Sequence, residues 1–414
     1  MRFSKSIATL TVGLIFSACF ACLNDRDTLA IETRDSGGVD YVKEIVGWFP
    51  VHSNLYYKKR IELSSQSLKS HPENLTLYDD IAVAYERMGD DVRAIQTTEQ
   101  KRVYMVAHNI NPKPLKADID KADHDTIVRS SLDPWYRYYA NAGTFWVHRW
   151  MHDGMPLEHK KEWLNRAQLD IDAAIKLNPL AHGLREYAQG EMIRWIRTGE
   201  KGQSFNDFEP IEFWDGSHTA DALAGLVELG GAWESPDVYE ALVKAFEENH
   251  MPTMAYFASL RVQELQKLGN RSLSGKLFPL YNARNNADAL DESVYTENDH
   301  SYNWAKSGIP AFVDQDYAEL RKAAESYRTQ LQQYEVEKIE AGSHPDTDPN
   351  FWKSFHEPQL PVYGVDRDYD ASMHKAELMG ELIIGGIVLF FVLAIGLLVW
   401  RHNRMPKDSN YSRL

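Results

Sequence analysis

The stretch LTLYDDIAVAYERMGDDVRAI, residues 75–95, decides the fold class of this 414-residue chain. Its first half places apolar side chains at the i, i+3, i+4, i+7 spacing of an amphipathic α-helix, namely at Tyr78, Ile81, Ala82 and Tyr85. Gly89 interrupts this pattern, and a second helical pattern begins near Asp91 with Ala94 and Ile95 as its first apolar residues. The stretch therefore predicts two helices joined by a tight turn.

Both the length of this stretch and the residue types at its helix-packing positions match a tetratricopeptide hairpin. Small residues occupy the positions where two helices would cross, and aromatic residues flank them. A second, imperfect copy runs from Tyr139 to Pro179 and completes the pattern that the first copy loses at Thr98 and Lys101, where Phe and Ala are usual. We expect the repeat-packing residues to be Tyr78, Ala82, Tyr85, Gly89, Ala94, Gly143, Trp146, Ala167, Ala174 and Pro179.

Helical periodicity continues outside the two copies, whereas strand-like alternation is scarce. Further helices are predicted over Leu55–Leu68, His182–Ile196 and Tyr317–Ile339, and a further hairpin over Pro236–Leu268. The sequence therefore predicts an all-α fold, a tetratricopeptide-like array of helical hairpins that forms an α-α superhelix. A generic helical bundle is the alternative that the same periodicity allows.

The N-terminus predicts export. Arg2 and Lys5 precede an apolar run and then small residues, which is the layout of a signal peptide. The two cysteines lie at its end. A lipobox-like sequence would make Cys19 a lipid attachment point, whereas cleavage after Ala21 would leave Cys22 as the first residue, so both are candidates for lipidation. A redox Cys-x-x-Cys site is not expected, because it would accompany a βαβ pattern.

The C-terminus predicts a membrane anchor. Residues 382–400, LIIGGIVLFFVLAIGLLVW, contain no charge, and about 20 apolar residues are enough to cross a hydrocarbon core about 30 Å thick. Arg401, Arg404 and Lys407 follow, so the positive-inside rule places the tail in the cytoplasm. We therefore expect a single-pass protein of the cytoplasmic membrane with the bulk of its chain on the periplasmic side.

These features divide the chain into six parts. They are a signal peptide (1–21), a tetratricopeptide-like domain (22–200), a further helical region (201–342), a stalk (343–377), a transmembrane helix (378–400) and a cytoplasmic tail (401–414). The exported part beyond Cys22 holds no cysteine, so an apolar core rich in aromatic residues has to stabilise it without disulfides.

The N-terminal half resembles a group of uncharacterised exported bacterial tetratricopeptide-repeat proteins. The resemblance covers about residues 22–187 and is carried by CLNDRDTLAIE (22–32), residues 75–95, AGTFWVH (142–148) and LNPLAHGLREY (177–187). It implies a tetratricopeptide fold, an envelope location and Cys22 as the start of the mature chain. It implies no activity.

The main functional prediction is a scaffold that binds a protein or peptide partner outside the cytoplasm. In a tetratricopeptide hairpin the first helix lines a concave groove, so its non-packing positions are the predicted partner-binding residues. They are Asp79, Val83, Glu86, Arg87, Ala140, Asn141, Thr144 and His148. The net charge of −15 argues against a nucleic-acid partner, and no cofactor is expected.

The alternative function is an exported enzyme or metal-binding protein. His148 and His152 are four residues apart on a predicted helix, a spacing that can place two imidazoles on one metal ion, although Arg149 stands where a zinc-protease helix has Glu. An acidic stretch lacks the EF-hand Gly and Glu, so we expect a solvated loop at Asp118, Asp120, Asp123 and Asp125. No phosphate-loop or Gly-x-Ser-x-Gly motif is present, and no catalytic residue is predicted.

Overall fold

The structure is a computed structural model, and it describes residues 23–28, 40–115, 131–179, 181–208, 216–228, 231–282, 290–295, 301–303 and 313–363. In these residues, α-helices follow one another along the chain, and most pack against the next helix in sequence. Their bounds are α1 Tyr41–Val46, α2 Asn54–Ser70, α3 Leu75–Arg87, α4 Asp91–Ala107, α5 Pro134–His152, α6 Leu157–Leu177, α7 Arg185–Thr198, α8 Gly216–Glu228, α9 Pro236–Glu248, α10 Pro252–Leu268 and α11 Val313–Glu340. The predicted all-α, hairpin-like array is confirmed.

The first predicted hairpin consists of α3 and α4. Gly89 has a φ of +78°, a left-handed conformation that glycine adopts without strain, and Asp90 accepts a hydrogen bond from the Arg93 N–H to cap α4. Tyr85 packs against the buried cluster that contains Ala82 and Ala94. The predicted interlocking of aromatic and small residues in this hairpin is therefore present.

The second hairpin consists of α5 and α6, which approach each other at Gly143. A Cβ atom at Gly143 would lie 2.7 Å from Ile171 Cγ1 and 3.0 Å from the Ala167 carbonyl oxygen. Ala167 and Ala174 on α6 are completely buried. Small residues therefore set the close spacing of α5 and α6, as the repeat pattern predicts.

The chain returns to its beginning through α11, which packs against α1, α2 and α10. Trp48 stacks on Tyr327 with ring centroids 4.8 Å apart, and Arg321 donates a 2.8 Å hydrogen bond to the Val46 carbonyl oxygen. The described residues up to 361 belong to one compact unit. Among the described helices, the last one, α11, thus packs against the first two.

The region predicted as a stalk, 343–377, does not begin as one. His344 and Phe351 are each 1% exposed, and Phe351 lies in a buried cluster with Tyr56 and Ile339. Burial of this aromatic side chain stabilises the packing of residues 344–352 onto α2. Residues 364–377 lie outside the described residues.

Two further findings concern the regions outside the first two hairpins. A short antiparallel pair, β1 Leu290–Tyr295 and β2 Ser301–Asn303, lies in the region predicted to be helical.

Of the helices that the structure describes, none has the length and apolar character needed to cross a membrane. The predicted signal peptide, transmembrane helix and tail lie outside the described residues.

Candidate functional site

The inner faces of α3 and α5 bring six of the predicted groove residues together. Each helix contributes three residues spaced about one turn apart, and none of the six is more than 5% exposed. They are Asp79, Val83 and Glu86 on α3, and Asn141, Thr144 and His148 on α5. These residues lie in the interior of the array rather than at an open surface.

The other two predicted groove residues lie elsewhere. Ala140 is completely buried in a cluster with Tyr136, Ala174 and Leu177, so it packs towards α6. Arg87 lies near the end of α3, where its side chain is 28% exposed. Ala140 therefore lies on a different face of α5 from Asn141, Thr144 and His148, and α5 packs against helices on both sides.

Residues 23–28 of the chain itself fill the space between α3 and α5, and we call them the docked segment. The Asn24 N–H donates to Asn141 Oδ1 at 2.7 Å, and Asn141 Nδ2 donates to the Asn24 carbonyl oxygen at 3.0 Å. Leu23 is 1% exposed in a cluster with Val83 and Phe145. The predicted binding groove is thus occupied by a segment from the start of the described chain.

The docked segment has a local structure of its own. Asp25 Oδ1 accepts hydrogen bonds from the N–H groups of Asp27 and Thr28, each at 3.0 Å, which caps a helical turn. The Thr28 hydroxyl donates to the Leu23 carbonyl oxygen at 2.8 Å. This turn directs the Arg26 and Asp27 side chains to different partners.

Asp27 and Asp25 bind the buried guanidinium of Arg60. Arg60 is completely buried, with nitrogens 2.7 Å from Asp27, 3.2 Å from Asp25 and 2.7 Å from Asp346. Burial acts to raise the pKa of Asp27, but the charge and hydrogen bonds of Arg60 outweigh it and lower that pKa to about 2. One cation from α2 therefore holds carboxylates from the docked segment and from the C-terminal part of the described chain.

Arg26 of the docked segment forms an ion pair with Asp80 on α3. Its Nε donates to Asp80 Oδ2 at 2.9 Å, and its backbone N–H donates to Asp80 Oδ1 at 3.1 Å. Burial raises the pKa of Asp80 to about 6, against the opposing effect of Arg26. The docked segment is therefore held by ion pairs on two sides and by Asn141 in the middle.

A second buried ion pair lies beside Asn141. Lys101 Nζ, completely buried on α4, lies 2.7 and 2.8 Å from the two carboxylate oxygens of Asp79, and Arg137 Nε lies 3.2 Å from the same carboxylate. Burial lowers the pKa of Lys101 to about 8, against the attraction of Asp79. Lys101 departs from the repeat pattern because it balances the charge of this groove residue.

The other end of the groove contains a cluster of two histidines and two carboxylates, Glu86, Asp91, His148 and His152, which we call the histidine cluster. His148 Nδ1 lies 2.6 Å from Glu86 Oε1, and His152 Nδ1 lies 2.7 Å from Asp91 Oδ2. Burial acts to raise the pKa of Glu86, but the charge of His148 and its hydrogen bond lower it below its usual value. Potential ligand atoms of Glu86, Asp91 and His148 lie within 4.8 Å of one another, so these three residues could hold a metal ion.

Other candidates from the sequence cannot be placed. Cys19, Cys22, Asp118, Asp120, Asp123 and Asp125 lie outside the described residues. Conversely, sequence reasoning missed the docked segment, Arg60 and Asp346 as parts of the site. The available signals were the charged NDRD sequence, residues 24–27, directly after Leu23, and the lysine at a repeat position where alanine is usual.

Comparison of the chain with protein-family models, with curated proteins and with solved structures gives no match. The resemblance to exported tetratricopeptide-repeat proteins therefore stays a prediction, and the structure supports an all-helical protein with sequential helix packing.

Proposed function

We propose that this chain is a membrane-tethered scaffold on the extracytoplasmic side, and that the groove between α3 and α5 binds a segment of a partner protein. The observation that carries this proposal is the pair of hydrogen bonds between Asn141 and the main chain of Asn24. A side-chain amide that binds both polar groups of one backbone residue recognises a polypeptide whatever side chain that residue carries. The export and anchor signals of the sequence support the tether.

The docked segment indicates the chemistry that the groove accepts. An apolar side chain fits beside Val83 and Phe145, as Leu23 does, and a cation three residues later fits Asp80, as Arg26 does. The proposed partner therefore carries an apolar residue followed at the third position by arginine. It binds by taking the place of the docked segment.

A photo-crosslinking experiment tests the groove. A peptide LNDRDT with a photoreactive leucine at its first position is added to the full-length protein, either wild type or Arg26→Ala. Because Arg26→Ala removes the ion pair with Asp80, the groove is expected to be open in a larger fraction of molecules and the peptide to bind with higher apparent affinity. The expected crosslinks map to α3 and α5.

The matched control peptide LNDEDT would place a carboxylate against Asp80 and is expected to label the groove much less. The absence of groove crosslinks in both protein forms, or equal labelling by the two peptides, would show that the docked segment is a permanent part of the fold and would contradict the proposal.

Cysteine labelling tests the location. Leu268→Cys, at a residue 70% exposed, and Lys407→Cys are each introduced into a Cys19→Ser, Cys22→Ser background, where they provide single reporters on two sides of the proposed anchor. A membrane-impermeant maleimide is expected to label Leu268→Cys in intact spheroplasts and Lys407→Cys only after lysis. The reverse pattern would place the array in the cytoplasm.

The alternative function, an exported enzyme or metal-binding protein that uses the His148/His152 region, has one observation in its favour. That observation is the convergence of Glu86, Asp91 and His148. A metal ion there would lie beside the groove and is compatible with a scaffold.

A further inference from the structure

The histidine cluster is built from residues of α3, α4 and α5. Glu86 lies in the last turn of α3 and Asp91 in the first turn of α4, so the tight turn at Gly89 brings their carboxylates together. His148 and His152 are one turn apart near the end of α5, with ring centroids 5.8 Å apart. The chain thus directs two carboxylates and two imidazoles to one place.

Three polar atoms in this cluster are buried without a hydrogen-bond partner. They are Glu86 Oε2, Asp91 Oδ1 and His148 Nε2, on side chains that are 5%, 5% and 0% exposed. The nearby Arg87 Nε is 3.9 Å from Glu86 Oε2, which is too far for a hydrogen bond. Leaving a buried polar atom unpaired is unfavourable, so three such atoms in one cluster indicate a missing partner.

The arrangement fits a cation better than another hydrogen-bonding group. Each of the three side chains offers a ligand atom, and these atoms lie within 4.8 Å of one another, a separation that one ion between them can bridge. Carboxylate oxygen and imidazole nitrogen together suit first-row transition metals, whereas calcium and magnesium favour oxygen ligands alone.

We propose that Glu86, Asp91 and His148 bind one divalent transition-metal ion, zinc being the ion to test first. His152 contacts Asp91 at 2.7 Å and serves as a positioning residue that orients this ligand carboxylate. The side chain of His152 is 27% exposed, so the site has a route to solvent. The ion would link α3, α4 and α5, and the proposal does not rest on partner binding.

Zinc titration of the full-length protein tests the proposal. The protein is freed of metal with a chelator, and zinc binding is then measured in competition with a chromophoric chelator. The expected result is one zinc ion per chain, with affinity reduced more than about 100-fold by His148→Ala and by Asp91→Asn, and about 10- to 100-fold by His152→Ala. Cobalt in place of zinc is expected to give visible absorption bands of a nitrogen- and oxygen-coordinated ion that disappear in His148→Ala.

The matched control is His71→Ala, which removes an exposed histidine that lies 3.4 Å from the Glu73 carboxylate and should leave zinc affinity unchanged. Far-UV circular dichroism of each variant shows whether the helices are retained. Asp91→Asn keeps the shape of the side chain, whereas His148→Ala removes a buried ring. Binding of no zinc, equal binding by wild type, Asp91→Asn and His152→Ala, or preferential binding of calcium would each overturn the proposal. None of these readouts depends on partner binding.

Discussion

The side-chain amide of Asn141 bridges the two main-chain polar groups of Asn24, at 2.7 Å from the nitrogen and 3.0 Å from the carbonyl oxygen. The side-chain atoms of Asn24 are buried without a hydrogen-bond partner. The contact therefore depends on the backbone of the docked segment and not on the Asn24 side chain. A helical array that holds a polypeptide in this way has the chemistry needed to hold another one.

Asn141→Ala is expected to weaken the docked segment. The substitution removes both bridging hydrogen bonds from the Asn24 main chain, which keeps the 3.3 Å hydrogen bond from Arg137 to its carbonyl oxygen, and it leaves the ion pairs of the docked segment in place. The free energy of unfolding should fall by about 1–3 kcal/mol, and proteases should cleave residues 23–28 faster. The control Asn74→Ala removes an exposed asparagine whose side chain makes no capping hydrogen bond, and it should match wild type. Equal protease resistance in Asn141→Ala would show that the amide bridge does not hold the segment.

Arg60→Met is expected to destabilise the protein strongly. It removes the guanidinium that lies between Asp25, Asp27 and Asp346 and leaves their carboxylates close together without it. Breaking a buried ion pair from one side costs about 3–5 kcal/mol, which urea denaturation would measure. Lys59→Met, which removes an exposed neighbour paired with Glu62, should change the free energy by less than about 0.5 kcal/mol. Similar losses in the two variants would mean that the Arg60 network contributes little.

Gly143→Ala tests the close approach of α5 and α6. The added methyl group would lie 2.7 Å from Ile171 Cγ1 and 3.0 Å from a backbone oxygen, so the helices have to separate. A net loss of about 1–2 kcal/mol is expected after the gain in helix propensity is included. Gly190→Ala on α7 is the matched control, because its nearest non-local atom would be at 3.5 Å. Thermal denaturation should show that Gly190→Ala is at least as stable as wild type. A Gly143→Ala variant as stable as wild type would contradict the close approach of α5 and α6.

The ion pair between Glu264 on α10 and Arg321 on α11 should make the stability of the protein depend on pH. Burial acts to raise the pKa of Glu264, but hydrogen bonds from Arg321 and the charge of Arg261 lower it to about 2. A glutamate of the unfolded chain titrates near 4.5, so Glu264 stabilises the fold above that pH and this contribution is lost as the pH falls towards 2. The denaturation midpoint of Glu264→Gln should therefore fall less than that of wild type between about pH 5 and pH 3. Glu62→Gln, at an exposed position, should follow wild type, and parallel curves for all three proteins would contradict the assignment.

Local sequence patterns predict the hairpins because the contacts that build them are local. Tyr85 and Ala94 are nine positions apart by residue number, and a helical period together with a glycine turn is enough to bring them into one cluster. The same reasoning finds His148 and His152, which are one turn apart on α5. Pattern analysis could not supply Glu86 and Asp91 as their partners, since that requires knowledge of how α3 and α5 pack.

Sequence patterns could not predict that residues 23–28 occupy the groove between α3 and α5, and the reason is related. Asn24 and Asn141 are separated by 117 positions, and Arg60 and Asp346 by 286. No sequence periodicity connects residues so far apart. The Asp-rich region after α11 has the composition of a solvated stalk, and this composition does not show that one of its carboxylates is buried. The signals present in the sequence were Lys101, a charged residue at a helix-packing position, and the charged NDRD sequence directly after Leu23.

The position of Arg60 between carboxylates from both ends of the described chain has a consequence for biosynthesis. Asp25 and Asp27 are made early, but Asp346 leaves the ribosome only after all eleven described α-helices have been made. Residues 23–28 consequently lack their full set of partners for most of translation. During that interval, an enzyme that cuts or modifies the nascent chain near Leu23 would encounter it before it is enclosed.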